Sequence, residues 1–106
     1  MIVYNVTCVV DEQIESDWLE WMLTEHIPEV LSTQHFIESK ILKILNLTDE
    51  KHEISYAIQY SCNSIELLTQ YREKHGSALQ QKTIAKFGDK FIAFRTVLEE
   101  ISTLCP

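Results

Sequence analysis

Residues 90–98 carry Phe91, Ile92, Ala93, Phe94, Val97 and Leu98, apolar side chains on both parities of an extended segment. A strand that is apolar on both faces has to be covered on both. One layer of helices covers only one face of a sheet. The second cover must come from another layer, most simply a second copy of the same sheet.

The rest of the chain supplies that one layer. Residues 2–10 alternate, with Ile2, Tyr4, Val6, Cys8 and Val10 in one file and Val3, Asn5, Thr7 and Val9 in the other. A period of two with β-branched enrichment predicts a strand. Asp11 then offers an N-cap, and acids crowd the turns that follow, where the helix dipole favours them. A helix is predicted over residues 12–31, kinked near His26 and Ile27 because Pro28 removes one i→i−4 hydrogen bond. Residues 36–46 and 53–61 read as strands joined by a polar hairpin loop over 46–52. In the second of these, Ile54, Tyr56, Ile58 and Tyr60 alternate with Ser55, Ala57, Gln59 and Ser61. Ser64 caps a second predicted helix over residues 64–86, which Gly76 could interrupt. Gly88 and Asp89 turn the chain into the last strand, and residues 99–106 form a tail, helical at first and then frayed. The order β-α-β-β-α-β, with right-handed crossovers about a hairpin, predicts a ferredoxin-like α+β sandwich over residues 1–98. Its four-stranded antiparallel sheet carries both helices on one face.

Charge and motifs exclude more than they select. With 106 residues, sixteen acids and nine bases, the net charge is −7, which disfavours a nucleic-acid partner. Residues 11–29 hold seven acids and no Lys or Arg, while residues 72–95 hold six bases against Glu73 and Asp89. Two oppositely charged helix faces lying side by side explain this, with a basic patch for an anionic ligand as the alternative. Cys8, Cys62 and Cys105 are odd in number and have no CxxC spacing, which suits a reducing compartment. Neither a leader signature nor an apolar run of about 20 residues occurs, so the expected location is cytoplasmic, away from membranes. HExxH, GxSxG, GxGxxG and P-loop patterns are missing, and the four histidines lack metal-ligand spacing, so neither metal nor cofactor is expected.

Several polar residues interrupt apolar faces. On the first helix His26 falls near the middle of the apolar arc that contains Trp18 and Met22. It is either a core histidine bonded to a carbonyl freed by Pro28 or a group facing a pocket. Trp21 falls on the polar arc between Asp17 and Glu25, where packing against a partner subunit would account for it. On the second helix Leu68, Tyr71, His75, Ala78 and Leu79 form a stripe, and His75 could instead close a helix end before Gly76. Tyr4, Tyr56 and Tyr60 share the parity that faces the helices, and buried hydroxyls need partners. Arg95 needs a carboxylate or an anionic ligand, a salt bridge being the structural reading. Tyr4, Trp18, His26, Tyr56, Tyr60, Tyr71, His75 and Arg95 are therefore the pocket candidates. Asn5, Trp21 and Gln59 are the interface candidates.

The opening Ile2 to Thr7, the segment Trp18-Leu19-Glu20-Trp21-Met22 running to His26-Ile27-Pro28, and the closing Phe94-Arg95-Thr96-Val97-Leu98 resemble a small bacterial family of unknown function. That family is similar in turn to the dimeric α+β barrel superfamily, which includes antibiotic-biosynthesis-type monooxygenases, haem-degrading oxygenases and muconolactone isomerases. The resemblance implies a homodimer whose two sheets face each other, with a pocket in each subunit between sheet and helices. Monooxygenases of the superfamily position substrate and dioxygen with an Asn and a Trp, without metal or flavin. Asn5 and Trp18 are the nearest positions, although the alternation turns Asn5 away from the helices. The functional readings are a small-molecule-binding protein or cofactor-independent enzyme, a non-catalytic interaction module using the acidic first helix and Trp21, and haem chemistry through a histidine.

Overall fold

A computed structural model describes residues 1–45 and 53–106. The loop expected at 46–52 lies outside the described residues. Strand β1 spans Ile2–Val10, β2 Glu38–Ile44, β3 Ile54–Cys62 and β4 Phe91–Glu99. They form one antiparallel sheet in the order β2-β3-β1-β4, with the helices of both crossovers on one face. This is the ferredoxin-like arrangement expected from the element order.

Neither helical arm is a plain α-helix. The first opens with a 3-10 turn over Glu12–Ile14, capped by Asp11 Oδ1, which accepts from the Gln13 N–H at 2.8 Å. Helix α1 (Glu15–Trp21) follows, then a π turn over Met22–His26, then α2 (Ile27–Ser32). The second arm repeats the plan. Helix α3 (Ile65–Tyr71) is capped by Ser64 Oγ, which accepts from the Leu67 N–H at 3.3 Å. A π turn over Arg72–Gly76 leads into α4 (Ser77–Phe87).

The expected kink at Pro28 is thus a widened turn just before it. The Ile27 N–H bonds to the Met22 carbonyl five residues back, and Pro28 sits in the first turn of α2, where a missing N–H costs nothing. A π turn takes up one extra residue, so the helical phase lags beyond it. Ile27, off the apolar arc of a straight helix, is buried, while Leu23, on that arc, is 51% exposed. The tail also differs from expectation. Glu99 belongs to β4, and residues 100–106 carry no helix.

Register decides which strand residues meet the helices. Residues directly opposite in an antiparallel pair share a face. Tyr4 opposes Tyr60 and Val97, Val6 opposes Ile58 and Arg95, and Cys8 opposes Tyr56 and Ala93, all on the helix side. Asn5 opposes Gln59 and Thr96 on the other face. The core fills the helix side, where Trp18, Val30, Ile58 and Leu68 are almost completely inaccessible. The helical arms cover β1 and β3 well but leave the edge strand β4 partly open, with Arg95 and Val97 exposed on the helix side. On the opposite face Ile92 and Phe94 are 58% and 57% exposed, Leu98 is exposed farther along β4, and Leu42 is exposed on the other edge strand, β2. The two-sided apolar strand therefore keeps one apolar face uncovered within a single chain.

Candidate functional site

A cavity of about 390 Å³ lies between the helical arms and the helix side of the sheet. Its floor is built by β1 (Tyr4, Val6, Cys8) and β3 (Ile58, Tyr60), and α1 and its π turn contribute Trp18, Met22 and His26. The roof comes from Tyr71 and from α4 through Leu79, Gln80, Thr83 and Ile84. Gly88, Phe91, Ala93 and Arg95 form the side toward the open edge of the sheet, where Ile84, Gly88 and Arg95 are exposed and define the mouth. The open side follows from the edge strand β4, which the helical arms leave partly uncovered.

An aromatic cluster closes the inner end. Phe36 packs against Tyr71 with ring centroids 4.9 Å apart and against Tyr60 at 5.3 Å, and Tyr4 lies within 6.4 Å of all three. Phe36 was not among the sequence candidates. Its aromatic side chain just before β2 is an ordinary core signal, and only the fold shows that it buttresses the cavity wall. Burial pushes the phenols of Tyr60 and Tyr71 up, Tyr71 to about 12, so both are neutral at physiological pH. The Cys8 thiol is likewise pushed up, to about 11, by burial.

His26 is a wall residue. Burial lowers its pKa from 6.5 to about 4, opposed by the Glu29 carboxylate and assisted by Arg95 and Lys82. Its Nδ1 is buried without a hydrogen-bond partner among the described residues, so that atom makes no bond to a carbonyl freed by Pro28. The ring instead stacks on Trp21, centroids 5.1 Å apart. The Trp18 Nε1–H is also buried and unpartnered among the described residues.

Of the eight pocket candidates, the cavity brings together Tyr4, Trp18, His26, Tyr60, Tyr71 and Arg95. Tyr56 lies outside it. Its hydroxyl donates to Glu15 Oε2 at 2.6 Å, and the same oxygen accepts from Lys43 Nζ at 3.2 Å. Those bonds hold the Glu15 carboxyl below its usual range, while burial, helped by the Glu15 bond, pushes Tyr56 up to about 12. His75 also lies outside, behind Tyr71, with its ring 5.5 Å from that of His35. It lies in the second π turn, half-buried against the rings of His35 and Tyr71 rather than in the cavity wall.

Among the interface candidates, Trp21 is half-buried rather than projecting from an acidic face, because Phe87 at the end of α4 packs edge-on against it at 5.5 Å. Asn5 and Gln59 lie on the far face and bond to each other, Gln59 Nε2 donating to Asn5 Oδ1 at 3.3 Å. Arg95 makes no salt bridge among the described residues. The ion pairs among the described residues are Lys43–Glu15 and Lys82–Glu29.

An open-faced four-stranded sheet carrying two helical arms, with a cavity between the layers, defines a ferredoxin-like α+β protein. Among the solved structures that share the architecture, three serve as examples. One is an EthD (ethyl tert-butyl ether D) family protein from Bacillus halodurans, 17% identical, with a TM-score of 0.65 over 95% of this chain and 100% of its own. A dimeric ferredoxin-like protein from an uncultured marine organism is 16% identical, with a TM-score of 0.68 over the full length of both chains. The third, from Deinococcus radiodurans and described as a candidate antibiotic biosynthesis monooxygenase, is 7% identical, with a TM-score of 0.67 over 100% of this chain and 98% of its own. At these identities the likeness is one of fold. The chain itself belongs to the DUF4286 family, a domain of unknown function, whose model matches residues 1–101. No curated protein matches it in sequence. Among the described residues no helix is long and apolar enough to cross a membrane.

Proposed function

We propose that this chain is one subunit of a homodimer that binds a small organic molecule between its helices and its sheet. The observation that carries this reading is the cavity of about 390 Å³, a size in the range of organic-ligand sites. Its walls are mainly aliphatic and aromatic, with a few convergent polar groups from His26, Tyr60, Tyr71 and Arg95. The dimer is supported by the far face of the sheet. Ile92, Phe94, Leu98 and Leu42 expose apolar surface there, around the bonded pair Asn5 and Gln59. Large apolar side chains left exposed on one face of a sheet, with the polar pair at its centre already bonded, are the composition of an interface. The dimeric ferredoxin-like relative offers a precedent for pairing two such subunits. An interaction module built on the first helix draws less support, since Trp21, its intended anchor, is covered by Phe87 and His26. Three free cysteines, two of them buried, fit a reducing cytoplasm.

Native mass spectrometry of gently purified protein tests both parts. A species at twice 12.4 kDa carrying a small non-covalent mass is expected, and Phe94→Arg should give monomers by charging the uncovered face. A bare monomer at micromolar concentration would remove the dimer. Failure of every small-molecule probe to bind would remove the ligand.

A further inference from the structure

We propose that the molecule held in this cavity is an organic monoanion, a carboxylate on an apolar and largely planar body, with its charged end against Arg95 at the mouth. This rests on the reading of the cavity as a ligand site and names the ligand class. Three observations carry it.

The first is the charge of the wall. Among the seventeen residues lining the cavity, Arg95 is the only Lys, Arg, Asp or Glu. His26, Cys8, Tyr60 and Tyr71 stay neutral at pH 7 for the reasons of burial given above. The protein as a whole carries −7, yet this cavity presents a single positive charge. The second is the position of Arg95. Its pairing opposite Val6 sets it on the helix side, and it has no carboxylate partner among the described residues. Glu29, whose charge acts on His26 and Tyr71 of the wall, accepts with its two oxygens from Lys82 Nζ at 2.9 and 3.0 Å. Glu29 is therefore already satisfied by another cation. The third is the remaining polar inventory. The phenols, the indole N–H of Trp18 and the Gln80 amide can all donate, and among the described residues the wall offers no carboxylate as an acceptor. Donors around one cation match a ligand that accepts.

The count of charges narrows the anion. One guanidinium balances one negative charge, and a phosphate dianion would leave an uncompensated charge against Ile58, Leu79 and Met22. The planar fork of Arg suits the two oxygens of a carboxylate. The aromatic end formed by Tyr4, Tyr60 and Tyr71 offers ring faces and edges to a flat apolar body.

Isothermal titration calorimetry with 2-naphthoate and 2-naphthalenemethanol, which share a ring system and differ in charge, tests the proposal. The wild-type protein should bind the carboxylate about tenfold or more tightly than the alcohol, the difference a charge-assisted hydrogen bond makes. Arg95→Gln should weaken the carboxylate and bring the two affinities to within about twofold. Arg95→Lys, which keeps the charge but loses the fork, should fall between them. The residue is exposed, so unchanged circular dichroism and melting will show that the variants fold. Equal binding of both probes by the wild type, or a carboxylate preference that survives in Arg95→Gln, would overturn the anion proposal while leaving the ligand site standing. If neither probe binds at millimolar concentration, the ligand site falls and this inference with it.

Discussion

Acid should unfold this protein partly through one side chain. His26 has a folded-state pKa lowered to about 4 from 6.5 because it is largely withdrawn from water. In the unfolded chain it titrates near 6.5. A pKa that is lower in the folded state contributes stability above the unfolded value, and that stability is lost as the pH falls toward 4. At pH 4.5 the unfolded imidazole is almost fully protonated while the folded one is mostly neutral. The two pH units between 6.5 and 4.5, at about 1.36 kcal/mol each and less a small correction for folded-state protonation, give a loss of about 2.5 kcal/mol. That is a large share of a domain stability of about 5–15 kcal/mol. Urea unfolding followed by tryptophan fluorescence, at pH 7.0 and 4.5, should therefore be compared for wild type and His26→Gln. Contributions common to both proteins cancel in this comparison, including that of Glu15, whose carboxyl the Tyr56 and Lys43 bonds hold low. Wild type should lose about 2.5 kcal/mol more than the variant between the two pH values. Equal losses would mean that His26 is hydrated or ion-paired in solution and that the burial argument fails.

Two further outcomes follow from burial and backbone geometry. In native protein at neutral pH, iodoacetamide should label one of the three cysteines within minutes, the exposed Cys105. The buried Cys8 and Cys62 have thiols that burial pushes up, and rapid addition of two or three labels by mass would contradict that. Gly88, which closes α4, has φ of 60° and ψ of −130°, a region that L side chains rarely enter, and a Cβ there would meet nothing within 4 Å. Gly88→Ala should therefore cost about 1–3 kcal/mol from the backbone alone, and an unchanged denaturation midpoint would show that the turn relaxes freely.

Much of the fold is legible in local physics alone. The alternation of residues 2–10 became β1 with the same bounds, and Asp11 and Ser64 cap the arms they precede. Both signals need only neighbours along the chain: a side-chain period of two, and a short oxygen beside unpaired N–H groups. The apolar pattern of the last strand is equally direct, since no single helical layer could cover both of its faces.

The site is less legible because it depends on residues far apart in sequence. Tyr56 finds Glu15 forty-one residues away and so leaves the pocket group. Lys82 finds Glu29 fifty-three residues away, which commits that acid to a cation other than Arg95. Trp21 is covered by Phe87 at the far end of the other arm, and His75 is turned behind Tyr71 by a π segment that the 3.6-residue period did not foretell. Residue pattern alone set the elements, their order and the need for a second cover on β4. Which polar groups are satisfied and which face the cavity was settled only when the arms closed over the sheet. Periodicity and capping are fixed by bonds within one or two turns, whereas the partner of a charge is fixed by how whole elements meet.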